Sequence, residues 1–98
     1  MKYSEHMSAN RRLCILRVLD SQAGYGANDS VIQTVLESLG HRVPRDQVRE
    51  DFTFLKDHGL VQLEVVSGRV WVAQATARGL DVANGLVIVE GVQRPSPG

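Results

Sequence analysis

The sequence PRDQVREDFTFLKDHGLVQLEVVSGRVWVAQAT, residues 44–76, decides the fold of this chain. Its first half predicts a helix from Pro44 to His58. Val48, Phe52 and Leu55 recur there at i, i+4 and i+7, and so line one buried face. Gly59 is placed to end the helix, because a glycine tolerates the left-handed conformation that follows a last helical turn.

The second half of this stretch is rich in β-branched residues, which predicts strands at Leu60–Val66 and Val70–Ala75. Ser67-Gly68 between them predicts a tight hairpin with a two-residue loop. Alternation along such a hairpin puts one set of side chains on the core and the other towards water. The predicted core face is Leu63, Val65, Val70 and Val72, and the predicted wetter face is Gln62, Glu64, Trp71 and Ala73.

Two more helices are predicted upstream of this stretch. Apolar periodicity places the first at residues 8–21, and a glycine-punctuated loop follows at residues 22–27. The second begins at Asn28 or Asp29, both competent N-caps, and runs to Leu39. Gly40 terminates it, and the turn to the next helix is only a few residues long.

The predicted order is helix, helix, helix, two-stranded hairpin and short helix, which is that of a winged helix-turn-helix. We therefore predict an α+β, mainly helical fold with a three-helix core and a hairpin wing. Thr76 caps a short C-terminal helix that runs to Asn84. Residues 1–85 form the winged helix domain, and residues 86–98 form an extended C-terminal tail that is a candidate dimer contact.

Composition bounds the class of protein. A length of 98 residues suits one small domain, and a hydrophobic content of 43% argues against disorder. No apolar run approaches the roughly 18 residues that span a bilayer, and no signal peptide is visible, so we expect a cytoplasmic protein without membrane contact. The single Cys14, three scattered histidines and the absence of nucleotide-binding or nucleophile motifs predict neither an enzyme nor a cofactor or metal site.

The charges of the helix at residues 44–58 are segregated. At about 100° per residue, Arg45, Arg49 and Lys56 fall within roughly 40° of one another, with Thr53 beside them. A separate acidic stripe holds Asp46, Glu50 and Asp57. Like charges at i, i+4, as in Arg45 with Arg49, slightly disfavour a helix. The pattern therefore favours an anionic partner over the alternative of a merely solvated face.

Duplex DNA is the anionic polymer that this arrangement suits. Arg45 and Arg49 lie in the half of the helix that enters the major groove, where an arginine grips a guanine edge with about 1–3 kcal/mol of discrimination. Thr53 is a candidate contact for a thymine methyl or a phosphate, and Lys56 for a phosphate. With flanking contacts from the turn and the hairpin tip, the predicted DNA-binding residues are Arg42, Arg45, Arg49, Thr53, Lys56 and Arg69.

Two apolar residues lie on faces predicted to be polar, and they form the candidate partner surface. Trp71 has only polar or small neighbours on its face of the hairpin. The run Leu86–Val89 is a candidate to fold back over it, and a homodimer with exchanged tails is the alternative. Leu13 falls on the polar side of the first helix, where it contacts a partner or the N-terminal tail.

These residues resemble a known group of proteins. The segment VPRDQVREDFTFLKDHGLV, residues 43–61, resembles the recognition helix and its exit in ArsR/MarR-like winged-helix regulators. Ala75-Thr76-Ala77-Arg78-Gly79 is similar to the Leu-Thr-x-x-Gly sequence that often starts the next helix in those families. The short length and the ending VEGVQRP, residues 89–95, resemble small ArsR-like proteins of Mu-like phages and prophages.

The resemblance implies sequence-specific binding of double-stranded DNA, usually as a homodimer, and transcriptional regulation. The cysteine, acidic or histidine ligands of the metal-sensing members are not visible here, so metal sensing is not carried over, and no effector ligand is assigned. The formal net charge is zero, from 11 cationic and 11 anionic residues, which disfavours strong non-specific DNA binding. A winged helix used as a protein-interaction module, in phage assembly or a multiprotein complex, is therefore the alternative.

Overall fold

The computed structural model describes residues 2–96, and its elements follow the predicted order with one strand added. Over these residues the helices are α1 (Tyr3–Ser21), α2 (Asp29–Ser38), α3 (Arg45–Asp57) and α4 (Ala77–Ala83), and the strands are β1 (Gly26–Asn28), β2 (Val61–Val66) and β3 (Val70–Ala75). The sheet is antiparallel, in the order β1-β3-β2. The α+β, mainly helical class is confirmed. Residues 1, 97 and 98, which the predicted two-part division includes, lie outside the described residues.

The N-terminal third of the chain holds more regular structure than its sequence pattern predicts. Helix α1 begins at Tyr3 rather than at residue 8. Its first turns are exposed, so they carry no apolar periodicity to signal a helix. At the end of the predicted loop and the predicted cap of the second helix, Gly26–Asn28 forms β1 and pairs with β3, with Ala27 opposite Ala73. A strand of three residues is too short to show alternation.

The caps of α2 and α4 follow the prediction. The Asn28 side chain accepts a hydrogen bond from the Val31 backbone N–H at 2.8 Å, and the Thr76 side chain accepts one from Gly79 at 3.0 Å. A Cβ at Gly79 would collide with the Leu60 carbonyl oxygen, so the backbone of α4 packs directly on the start of the hairpin. The Thr76-x-x-Gly79 spacing therefore has a physical reason.

The hairpin register differs from the prediction by one residue. Ser67 and Gly68 both have positive φ, and the Arg69 N–H donates to the Val66 carbonyl at 3.1 Å, as a tight turn requires. Arg69 is then left out of the ladder, so that Val66 pairs with Val70 and not with Arg69. A shift of one residue moves every side chain of a strand to the other face. The predicted faces of β3 were therefore wrong.

The core gathers side chains from every helix and from the sheet. Phe52, Val48 and Leu55 of α3 are fully buried, as predicted. Leu13 is only 4% exposed, so its prediction as a partner surface was wrong. Helix α1 packs against α2, α4 and the sheet. Its buried arc is therefore wider than that of a helix covered on one side only.

The segment that follows α4 folds back along α1. Val89 and Val92 join the core, whereas Leu86 and Ile88 are exposed. The Gln93 backbone N–H donates to the Ala9 carbonyl at 3.1 Å. The tail therefore covers α1 and the rear of α3 within one chain, and it does not cover Trp71.

Candidate nucleic-acid interface

Helix α3 presents a long outer face to solvent. Arg45, Thr53 and Lys56 are exposed on it, and neither cation has a carboxylate oxygen within 4.0 Å among residues 2–96. The acidic stripe is exposed on the adjoining side of the same face, as Asp46, Glu50 and Asp57. The predicted segregation of charge along α3 is therefore present at its surface.

Arg49 is not part of that exposed set. Its Nε donates to Asp29 Oδ2 at 2.8 Å, and Asp29 is only 2% exposed at the start of α2. Its Nη2 donates to the Arg69 carbonyl at 2.6 Å, at the tip of the hairpin. The side chain therefore joins α2, α3 and the hairpin. Two of the five N–H donors of Arg49 are held within the chain in this way. The prediction that Arg49 grips a guanine edge stays a prediction.

Trp71 lies beside this arginine. With the corrected register the indole points towards the core side of the sheet, where it packs half-buried against the hydrophobic core. The Arg49 guanidinium carbon is 5.2 Å from the centre of the indole ring, a cation–π contact. Arg49 is therefore the residue that covers Trp71. Neither the tail nor a second chain is needed to explain why the indole is half-buried.

The two flanking arginines are exposed on either side of α3. Arg42 precedes the helix and lies 3.7 Å from Glu37, in a pair that is exposed on both sides. Such surface pairs contribute little, so Arg42 is free to exchange partners. The Arg69 side chain is exposed at the hairpin tip, while its carbonyl is held by Arg49.

A shallow groove separates α3 from the hairpin. It is lined by Asp46, Arg49, Glu50, Thr53 and Trp71. Its lining combines two carboxylates, a guanidinium and an indole, so this groove differs in chemistry from the cationic edge formed by Arg45 and Lys56. The outer face of α3 therefore offers a cationic edge and a groove of mixed charge.

The rear of α3 holds a buried ionic network that the sequence analysis did not find. Asp51, 1% exposed, accepts hydrogen bonds from Arg11 Nε and Nη2, the latter at 3.0 Å from Oδ1. Arg12 Nε lies 3.6 Å from the same carboxylate, and the Arg12 guanidinium carbon lies 3.8 Å from the centre of the Phe54 ring. Arg12 Nη1 also donates to the Gly91 carbonyl at 2.9 Å, which ties the tail to this network.

His41 extends the network to the turn between α2 and α3. The residue is 5% exposed, and its Nε2 lies 2.6 Å from Asn10 Oδ1, which identifies it as the protonated nitrogen. Asn10 Nδ2 in turn donates to Gln93 Oε1 at 3.1 Å. Burial first, and the charge of Arg11 second, lower the pKa of His41, while Asp51 opposes the shift. The sequence placed this histidine in a turn and gave no sign of its burial.

The depressed pKa of His41 predicts a loss of stability in acid. The folded chain holds the imidazole neutral, whereas the unfolded chain takes up a proton near the ordinary pKa of about 6.5. The stability that the neutral imidazole contributes to the folded chain is therefore fully present above about pH 6.5. It is lost as the pH falls from there through the lower pKa of the folded chain. We expect the urea midpoint of the wild-type chain to fall more steeply between pH 7.5 and 5 than that of H41Q. The exposed His6 provides the control, since H6Q keeps the wild-type slope.

Three other features of the described residues bear on function classes. Burial raises the pKa of the Cys14 thiol, so the group stays protonated and poorly nucleophilic. Residues 2–96 contain no group of three or more His, Cys, Asp or Glu side chains arranged to hold a metal ion. No helix in this part of the chain has the length and apolarity to cross a membrane.

Comparison with known proteins finds a relative in a phage and another in a bacterium. Uncharacterized protein gp26 of Escherichia phage Mu is 42% identical over 91 residues, which cover 93% of this chain and 93% of that protein. An uncharacterized protein of Haemophilus influenzae is 40% identical over 80 residues, or 82% of this chain and 78% of that protein. No family model and no solved structure matches. The predicted phage relationship is confirmed, and the likeness to ArsR/MarR regulators stays a prediction.

Proposed function

We propose that this chain, which belongs to the family of phage Mu gp26, is a winged helix-turn-helix protein that binds duplex DNA. In this proposal α2 and α3 form the helix-turn-helix, the β2–β3 hairpin is the wing, and the protein is a cytoplasmic homodimeric regulator of phage or prophage transcription. The observation that supports it is the cationic edge of α3, where Arg45 and Lys56 are exposed and unpaired within the described residues.

The placement of this edge suits a groove of DNA. Arg45 and Lys56 lie 11 residues apart, or roughly 16 Å along the helix at 1.5 Å per residue. Arg42 lies before the helix and Arg69 at the hairpin tip, so the four cations span α3 and both of its flanks. In this proposal Arg45 enters the major groove and the other three contact phosphates, which fix register without reading sequence.

The rigid mounting of α3 supports the same function. Arg49 links the helix to Asp29 of α2 and to the carbonyl of Arg69. Helix and hairpin are thus held in one relative orientation before any DNA arrives, which lowers the ordering cost of binding. Arg49 acts in this proposal as a positioning residue.

Salt dependence of binding tests the proposal. We expect fluorescence anisotropy with a labelled random duplex to show weak binding that falls steeply between 50 and 200 mM salt. In R45A/K56A the slope of log affinity against log salt should lose roughly one unit per bound chain, since Lys56 contacts a phosphate and each phosphate contact contributes about 0.9, and the loss of Arg45 should lower the affinity further. The matched control is R17A/R94A, which removes the same charge from exposed positions away from α3 and should keep most of the slope.

If R45A/K56A and R17A/R94A lost the same amount of salt slope, that result would contradict a binding surface on α3. Wild-type chain that gives no anisotropy change at 50 mM salt would contradict DNA binding altogether. The turn and hairpin arginines provide the next step, because R42A and R69A should each reduce the slope by about one unit.

A protein-interaction module is the second candidate function. Its support is the hairpin tip, where Val65, Val66 and Val70 are between 37% and 51% exposed, together with the carboxylates on α3. Apolar residues at a wing tip suit contact with protein better than contact with phosphate. In this case R45A/K56A leaves partner binding unchanged, and substitution of Val65 and Val66 by threonine abolishes it.

A further inference from the structure

The tail carries two large aliphatic side chains that are exposed to solvent. Leu86 is 76% exposed and Ile88 is 62% exposed, although they belong to a short apolar run whose last residue, Val89, is buried. Leu86 and Ile88 lie two residues apart, and we call them the tail patch. Contiguous apolar groups on a folded surface mark sites of interaction, so the tail patch is a candidate contact with another molecule.

The segment that presents the tail patch is fixed to the body of the chain on both sides. Before the patch, the Leu86 backbone N–H donates to the Asp81 carbonyl at 2.8 Å. After it, the Gly91 carbonyl accepts a hydrogen bond from Arg12 Nη1 at 2.9 Å. A terminal segment that is tied down in this way has already lost much of its backbone freedom. A partner that docks on the patch therefore has less ordering to impose.

A groove of about 700 Å³ lies beside the tail patch, between the tail and the N-terminal half of α1. Ile88 belongs to both the patch and the groove, and Val89, Val92 and Ala9 add further apolar groups to the groove lining. Its volume is within the range of about 300–1,000 Å³ that is usual for pockets that enclose a bound group. Protruding aliphatic side chains and a recess large enough to receive them thus lie on one surface.

We infer that this surface, the tail patch together with the adjoining groove, is where a second copy of the chain docks. A two-fold interface uses the same surface on both subunits, so that surface has to be complementary to itself. In this arrangement Leu86 and Ile88 of each copy meet the other copy at its groove, and Ile88 lies nearest the two-fold axis because it belongs to both features. The inference rests on the proposed function for its homodimer, but it does not require DNA.

The charges at the groove favour a second copy over a nucleic acid or an anionic membrane. Glu5 and Glu90 line the groove as exposed carboxylates, and no Lys, Arg or His nitrogen lies within 4.0 Å of either among residues 2–96. Such carboxylates repel phosphate. The exposed Lys2, three residues before Glu5, supplies the opposite sign at the same end of α1. Since the chain has no net charge, two copies approach without overall repulsion.

Sedimentation velocity of the full chain without DNA tests the inference. The wild-type chain should form a dimer that dissociates on dilution. L86E/I88E should weaken dimerisation by about a hundredfold or more, because it places two carboxylates from each copy in an apolar contact. Both side chains are exposed in the single chain, so circular dichroism should show an unchanged fold. The matched control is V65E/V66E, which adds the same charge at exposed valines of the hairpin and should leave the dimer intact.

A variant of opposite charge tests whether the occupant is a second copy. L86K/I88K alone should also sediment as a monomer. An equimolar mixture of L86K/I88K with L86E/I88E should form a heterodimer, because side chains of opposite charge then meet near the two-fold axis. A mixture that stays monomeric would show that these side chains do not meet across a two-fold axis, and would overturn the inference.

The remaining outcomes separate this inference from the proposed DNA binding. A dimer that tolerates L86E/I88E as well as it tolerates V65E/V66E overturns the inference and leaves a homodimer with another interface. A wild-type chain that is monomeric at every concentration overturns both the inference and the homodimer. Neither result decides DNA binding, which is tested by the salt dependence of R45A/K56A.

Discussion

Asp51→Ala is expected to lower the free energy of unfolding by about 3–5 kcal/mol, because it leaves a buried guanidinium without its anion. Arg11 is 6% exposed, and two of its nitrogens donate to Asp51. Arg12 lies beside the same carboxylate, so the substitution leaves two cations facing each other in a site that water hardly reaches. A domain of this kind has only about 5–15 kcal/mol of total stability.

Chemical denaturation followed by circular dichroism measures the effect. Asp57→Ala is the matched control, since Asp57 is an exposed carboxylate on the same helix, and we expect it to change stability by less than about 0.5 kcal/mol. Asp51→Asn keeps an acceptor for Arg11 but loses the charge, so its stability should fall between the two. Equal midpoints for the two alanine variants would contradict a structural role for the buried network.

The elements that the sequence predicted well are those with strong local signals. Helix α3 has an apolar stripe at Val48, Phe52 and Leu55, and all three residues are fully buried. Asn28 and Thr76 precede apolar periods and cap their helices through side-chain oxygens. Each of these signals links residues that are four or fewer positions apart, so that neither the sheet nor the tail is needed to recognise them.

The elements that the sequence pattern did not predict depend on contacts between distant parts of the chain. β1 exists because Gly26–Asn28 meets β3, more than 40 residues away. Leu13 is buried because α4 and the sheet cover a wide arc of α1. The predicted faces of β3 were wrong for a local reason: Arg69 is unpaired, and this one extra loop residue reverses the alternation of β3. The residue types in the turn do not distinguish this three-residue loop from a two-residue loop.

The candidate site also has features that follow from local sequence and features that depend on distant contacts. Exposure of Arg45, Thr53 and Lys56 follows from the phase of one helix, which the sequence supplies. The commitment of Arg49 does not, because its partners come from another helix and from the backbone of the hairpin. Asp29 was identified as a cap candidate, but a helical projection of α3 gives no sign that this carboxylate reaches Arg49.

Arg49→Ala is the second substitution with a large expected effect, a loss of about 3 kcal/mol. Asp29 is 2% exposed, and without Arg49 its remaining partner among the described residues is the Ser30 N–H, at 3.0 Å. The loss corresponds to a fall of more than about 12 °C in the melting temperature of a domain of this size. Thermal unfolding followed by circular dichroism measures it, and the exposed Arg45→Ala, which should change little, is the control.

The single tryptophan gives this substitution a second, independent readout. Trp71 lies under the Arg49 guanidinium, so Arg49→Ala should expose the indole and shift its emission to longer wavelength in the folded chain. Arg49→Lys keeps the charge, but a single ammonium does not match the fork that binds both Asp29 and the Arg69 carbonyl, so an intermediate shift is expected. An unchanged spectrum and melting temperature in Arg49→Ala would return this arginine to the exposed surface, where it would again be a candidate to contact bases. If Arg49→Ala instead lowers the melting temperature and shifts the emission as expected, any loss of DNA affinity in this variant follows from a displaced hairpin. Arg45→Ala would not displace the hairpin.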